Sequence, residues 1–215
     1  MTYQELQDAV IFNRFKEPMR TPHVKRWITS EYAYIWGVAD WIFKRVSAFE
    51  TGAELTITAG DNTPTMPAAF AEAIGLLNHN GDPLTQLDPR TFEASYRDPG
   101  ASRGEPEAFT VVNRIIYLGP TPSTARTFYL PHKRTLCHKA DGTTVTAGKM
   151  DSNADTPLWG EEHHEVLIAG ARARGKKREQ DPTWQADEDE RDALLSVMMG
   201  DPIANNVGSY GRDSL

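Results

Sequence analysis

Apolar side chains recur at helical spacing between Val24 and Val46, where Val24, Trp27, Ile28, Ile35, Val38, Ile42 and Val46 form one stripe. Tyr32, Trp36 and Phe43 form a second stripe, with Tyr34 and Trp41 beside it. Polar residues, chiefly Lys25, Arg26, Ser30, Lys44 and Arg45, fill a narrow remainder. A helix that is apolar over most of its circumference has to be covered over most of it. The spacing therefore predicts a helix over 24–46, covered either by other helices of this chain or by other copies of it. Trp27, Tyr34, Trp36, Trp41 and Phe43 are the side chains expected to pack the core and the subunit contacts.

Shorter patterns flank this segment. Thr2 to Phe15 reads as a first helix, with Thr2 and Glu5 at capping-box spacing and Leu6, Val10 and Phe12 to Phe15 on its apolar side. Pro18 and Pro22 break the chain after it, and Thr21-Pro22 suits the start of the second helix. From Thr51 the period changes. Glu54 to Thr58 alternates with period two before a turn at Gly60 to Pro64, the mark of a strand. Met66 to Phe70 reads as an irregular bend, and Glu72 to Asn78 as a strand or a short helix. Asp88 followed by Pro89 caps a short helix to Tyr96. Asp98 to Pro106 is loop-like; Thr110 to Leu118 and Thr127 to Leu130 are strands separated by Gly119-Pro-Thr-Pro122. Cys137 to Ala154 is polar and turn-rich, an expected exposed excursion. Helix returns at Pro157 and reaches Arg178. A last helix over Thr183 to Met199 has an acidic first turn (Asp187 to Glu190) that suits the positive end of its dipole. The sum is an α+β chain: helices from 1–50 and 157–200 forming a bundle, an inserted antiparallel β-rich module at 51–156, and a tail at 201–215.

Composition narrows the function classes. The chain has 215 residues, 39% apolar and 25% charged, ordinary values for a globular protein with one good core and a small second module. Its net charge of −7 argues against coating DNA, which needs a cationic surface, but not against a protein that DNA passes without being held. Cys137 is the only cysteine, so no intramolecular disulfide can form and a reducing compartment fits best. The opening residues lack the basic stretch and apolar run of a secretion signal. No segment approaches the roughly 18 apolar residues of a membrane span. A soluble protein made in the cytoplasm, with no membrane partner, is expected.

Candidate chemistry is sparse. Glu161 and His164 stand at i, i+3, the spacing of a carboxylate-bridged di-metal helix, with Glu165 beside them. Such a site needs a second Glu-x-x-His, and the chain has none. The zinc-protease pattern fails because Ile168 stands where its second histidine belongs. Solvated first-turn side chains are the expected reading. Cys137-His138 cannot act as a nucleophile and base, since neighbours in an extended segment point to opposite faces; a surface cysteine is expected. Arg172, Arg174, Lys176, Lys177 and Arg178 form a basic run that could touch DNA or a partner, or simply end a helix in solvent. No phosphate-cradling loop or nucleophile elbow is present. Neither catalysis nor a cofactor is expected.

Several pieces in order do resemble a known family. They are Tyr3-Gln-Glu-Leu6, the aromatic helix with Trp27 to Tyr32 and Ala39 to Phe43, a β passage with Gly60, Met66 to Phe70 and Ile115 to Pro122, and Pro157-Leu-Trp-Gly-Glu-Glu162 leading into the Ala169 to Arg178 helix. This order resembles the head-to-tail adaptor (connector) proteins of tailed bacteriophages. The excursion from Cys137 to Ala154 departs from the shorter members. The resemblance implies a non-enzymatic structural protein of the virion, at the capsid–tail junction. It implies a homo-oligomeric, dodecameric ring that docks beneath the portal protein and meets a tail or stopper protein, with double-stranded DNA crossing its channel. On that reading Arg172, Arg174, Lys176, Lys177 and Arg178 serve portal docking or a lumen contact. A tail-completion or terminator protein would share the setting but be dominated by β structure. A metal-dependent helical enzyme using Glu161, His164 and Glu165 is the remaining alternative.

Overall fold

The computed structural model describes residues 1–12, 21–50, 52–97 and 103–200. In chain order the elements are helices α1 (Tyr3–Phe12) and α2 (Thr21–Val38), and strands β1 (Arg45–Val46), β2 (Glu54–Ile57), β3 (Phe70–Ala73) and β4 (Thr85–Gln86). Helix α3 (Pro89–Tyr96) follows, then strands β5 (Arg103–Gly104), β6 (Ala108–Val112), β7 (Ile115–Gly119), β8 (Thr121–Pro122), β9 (Arg126–Tyr129) and β10 (His132–Arg134). Strands β11 (Cys137–Ala140) and β12 (Thr144–Ala147) and helices α4 (His164–Arg178) and α5 (Trp184–Gly200) complete it. The chain is α+β, and it divides into two compact units, one from Met1–Phe43 with the chain from Leu136 onward, the other Lys44–Thr135. The expected end of the first helix at Phe15, the break at Pro18, the start of the loop at Asp98 and the tail after Gly200 lie outside the described residues.

In the first unit α1 starts on the capping box read from the sequence. Glu5 Oε2 accepts from Thr2 N–H at 2.7 Å, and Thr2 Oγ1 accepts from Glu5 N–H at 3.3 Å. The second helix is shorter than its hydrophobic pattern: α2 ends at Val38 rather than Val46. Gly37 weakens the last turn. The Trp41 indole N–H then donates to the Ile35 carbonyl at 2.7 Å, an acceptor that a continuing helix would give to its own backbone. Ile42–Lys44 is a single 3₁₀ turn, and Arg45–Val46 is already strand.

Nor is α2 apolar nearly all round. Val24, Trp27, Ile28, Tyr32, Ile35 and Trp36 are buried, whereas Arg26, Ser30, Tyr34 and Val38 are exposed. Its second stripe is covered from within the unit. Tyr32 stacks on Trp159 at 4.6 Å, Phe43 packs on Trp159 at 5.2 Å, and Trp36 lies 5.5 Å from Phe43. The Tyr32 hydroxyl donates to the Cys137 carbonyl at 2.5 Å, and burial raises its pKa.

The most enclosed helix is α4. His164, Val166, Leu167, Ile168, Ala169, Gly170, Ala171, Ala173 and Gly175 are all buried, and α1, α2 and α5 pack around it. Its small residues allow close approach where larger side chains would hold the neighbours off. Helix does not return at Pro157: residues 157–160 are irregular, and a 3₁₀ turn at Glu161–His163 precedes α4. The first-turn histidines are not solvated either, since His163 and His164 are 8% and 2% exposed.

Cys137 is fully buried, contrary to the expected surface position, but the stretch that follows is exposed as expected over 141–149 and 151–154, and it folds as a hairpin. Its inner strand β11 is held by His138, whose Nδ1 meets the Gly148 carbonyl at 3.2 Å and whose Nε2 lies 3.3 Å from Asp155. Asp155 also accepts from the Asp151 and Ser152 backbone N–H groups. The outer strand β12 is exposed along its length, as are the turns on either side of it.

The second unit is built on short pairings: β1–β10–β3, β2–β9, β4–β6–β7 and β5–β8. Two of them, β4–β6 and β5–β8, are parallel, so the module is not purely antiparallel. Segment 72–78, open between strand and helix, contributes to β3. The β6–β7 hairpin turns at Asn113-Arg114, both at positive φ (52° and 64°), the backbone a tight two-residue hairpin requires. Asp88 caps α3 by accepting from the Arg90 and Thr91 N–H groups. Leu55, Ile57, Phe109, Ile116, Leu118 and Phe128 lead the core.

Candidate interaction surface

The candidate side chains gather where α2, α4 and α5 meet. The seam starts from one misplaced charge: Glu31 occupies a position of the α2 stripe between Trp27 and Ile35 and is 0% exposed. An isolated buried carboxylate is costly, so it requires partners. Arg174 of α4 donates through Nε to Glu31 Oε2 at 2.6 Å, and Arg191 of α5 brings Nη1 to 3.7 Å from Oε1. The three helices share this carboxylate.

The remaining α4 cations divide in two. Lys176 pairs with Asp187 at 2.6 Å and Arg172 with Glu190 at 3.4 Å, so both tie α4 to α5. Together with Arg174, these three of the five basic residues singled out in the sequence are engaged inside the unit. Lys177 and Arg178 face outward. Lys177 Nζ sits 4.2 Å from the centre of the Trp184 ring, a cation–π contact that keeps the ammonium at the surface.

Tyr34 is the exposed aromatic of α2, at 41%. Arg191 and Arg174 lie over its ring at 5.1 and 5.9 Å from the centroid. The Arg191 pKa is raised: burial works downward, but the Asp192 hydrogen bond and the Glu31 charge outweigh it. Beside this group lies a shallow hollow lined by Arg26, Trp27, Ser30, Arg174, Lys177 and Arg178. Its floor is close-packed, since a Cβ on Gly175 would come within 2.7 Å of the Trp27 ring. Tyr34, Trp184, Arg191 and Glu188 line an adjoining depression that shares Arg174 and Lys177 with it.

The aromatic residues expected to pack are thus distributed unevenly. Trp27, Trp36 and Trp41 are buried in the unit, Phe43 is half-buried, and Tyr34 stands at the surface. Sequence reasoning missed Glu31, Trp159, Trp184 and Arg191. Glu31 had a signal, because a carboxylate at a stripe position four residues from both Trp27 and Ile35 has to be buried with a cation. Arg191 had none: its pairs with Glu188 and Asp192 on its own helix read as a solvated face, and the Glu31 it also reaches lies on another helix.

Among the described residues no group of three or more histidine, cysteine, aspartate or glutamate side chains is placed to hold a metal ion. No described helix is long and apolar enough to cross a membrane. The surface offers cations and aromatic rings, a composition suited to recognition. No curated protein matches the chain. A family model described as "SU10 adaptor protein" matches residues 1–206.

Proposed function

The chain belongs to the SU10 adaptor protein family and is a bacteriophage adaptor, a structural component of the virion; from that premise we propose that it joins head to tail as a ring beneath the portal. The ring is dodecameric, carries out no catalysis, meets a tail or stopper protein on its far side and lets double-stranded DNA pass through its channel. The observation that carries this reading is the family match over nearly the whole chain. Two physical features support it. The net charge of −7 lets packaged DNA slide past without being gripped. The exposed cations and rings at the α2–α4–α5 junction have the Tyr, Trp and Arg composition of contact hot spots.

Trp27, Trp36, Trp41 and Phe43 then serve the core of the subunit, and Tyr34 is the member of that set available to a neighbouring protein. Lys177 and Arg178 are the basic residues offered to the portal, while Arg172, Arg174 and Lys176 position α5 and Tyr34 behind them.

The test is assembly in solution. The isolated protein is expected to be monomeric or weakly associated by sedimentation, and to form rings when portal particles are added. A tight dimer that ignores portal particles contradicts the reading.

A further inference from the structure

We propose that the hollow between α2 and α4 is a receptor for an acidic protein segment, whose carboxylates sit among Arg26, Lys177 and Arg178 and whose backbone lies over Tyr34 and Trp184. The inference rests on the adaptor reading for its setting and goes beyond it in naming the surface and the chemistry of its partner.

Charge leads to this occupant. Arg174 is neutralised by Glu31, so the hollow carries the positive charge of Arg26, Lys177 and Arg178, and no carboxylate lines it. That is a concentrated cationic site on a chain whose net charge is −7. Lys177 is already oriented by Trp184, and the Arg174 fork is fixed by its 2.6 Å bond to Glu31. One of the three binding cations, Lys177, is therefore ordered before anything binds, beside a fixed Arg174, which lowers the entropic cost of engaging it. Rings alternate with the cations, Trp27 on the floor and Tyr34 and Trp184 beside it. Aromatic and arginine side chains packed this way make protein hot spots.

The same features disfavour duplex DNA. A duplex presents one negative charge per roughly 1.7 Å and needs a run of cations along its path. Here the cations converge on one hollow, and the neighbouring depression carries Glu188, with Asp189 and Glu190 exposed on the next positions of α5. A long polyanion would meet that acidic helix, whereas a peptide can place one or two carboxylates in the hollow and stop.

The experiment is a titration of the full-length protein with an oligo-glutamate peptide, followed by tryptophan fluorescence, since Trp27 and Trp184 border the site. A short DNA duplex serves as competitor. The charge-reversed variant Arg26→Glu/Lys177→Glu/Arg178→Glu is compared with Lys133→Glu/Lys139→Glu, which changes cations elsewhere. Circular dichroism melts establish that both variants fold. Saturable, salt-sensitive binding is expected, lost by at least about tenfold in the first variant and kept in the second. No binding to the unaltered protein, equal loss in both variants, or displacement by the duplex at lower concentration than by free peptide overturns the proposal. If the first variant does not fold, Lys177→Gln/Arg178→Gln is used in its place under the same criteria. Ring formation with portal particles is scored separately on the unaltered protein, so failure of the peptide site and failure of the adaptor reading give different results.

Discussion

Gly170 of α4 lies directly against the side chain of Glu31 on α2, so that a Cβ at position 170 would come within 2.3 Å of the Glu31 Cδ. Alanine favours helix over glycine by about 1 kcal/mol, so propensity alone makes Gly170→Ala stabilising. Here Glu31 is buried and bonded to Arg174, and cannot step aside cheaply. The packing term wins, and Gly170→Ala should destabilise by about 2 kcal/mol. Gly37→Ala is the contrast, because a Cβ at position 37 would meet nothing within 4 Å. It should be neutral or stabilising by up to about 0.5 kcal/mol. Urea denaturation of both variants decides whether space or propensity governs.

The same pair makes a double-mutant cycle. Glu31→Ala strips Arg174 and Arg191 of their shared carboxylate and should cost about 3 kcal/mol. In that background the atoms that Cβ would strike are gone. Gly170→Ala should then cost little or nothing, giving a coupling of about 2 kcal/mol. Additive effects would show that Gly170 is needed for some other reason than Glu31.

Trp159→Ala should lower the stability of the isolated subunit by about 3 kcal/mol, because it removes the ring that covers both Tyr32 and Phe43. Trp36→Ala, 9% exposed and packed on Phe43, should act in the same direction on the monomer. If Trp36→Ala leaves the melting temperature unchanged and impairs only assembly, the second stripe of α2 serves a neighbouring copy after all.

His164 gives the fold a pH dependence with a definite sign. Burial lowers its pKa from 6.5 to about 4, and the positive chain terminus works in the same direction. The Trp159 backbone and the acidic groups facing it, Glu161 and Glu162, pull toward the charged form more weakly than burial opposes it. The unfolded chain binds this proton more readily, so stability is full above about pH 6.5 and falls as the pH drops toward 4. The loss attributable to this residue is of order 2 kcal/mol. Chemical denaturation from pH 7 to pH 4 should show the fall, and His164→Gln should flatten it.

How far the fold could be read follows from which forces are local. The capping box at Thr2 and Glu5 and the Asp88 cap depend on residues a few positions apart, and both stand as the sequence implied. The end of α2 was not legible, because the apolar period continues to Val46. The chain departs from it through side-chain contacts outside the helical period, Trp41 reaching back to the Ile35 carbonyl and Phe43 finding Trp159, which is distant in sequence. Cys137 and His138 looked solvated for the same reason: their cover comes from Tyr32 and Asp155, distant in sequence. The basic run was visible as charge, but which of its members are engaged depends on Glu31, Asp187 and Glu190, which no spacing within α4 reveals.

The helix that opens the hydrophobic pattern is therefore one wall of the unit, and α4, less apolar in sequence, is its centre. Both belong to a member of an adaptor family, which makes location the decisive observable. Virions imaged with an antibody against this chain should carry label at the capsid–tail junction and nowhere along the capsid shell or the tail shaft. Label confined to the tail tip or to the capsid faces, or intact virions without label after the junction has been exposed, would contradict an adaptor at that joint.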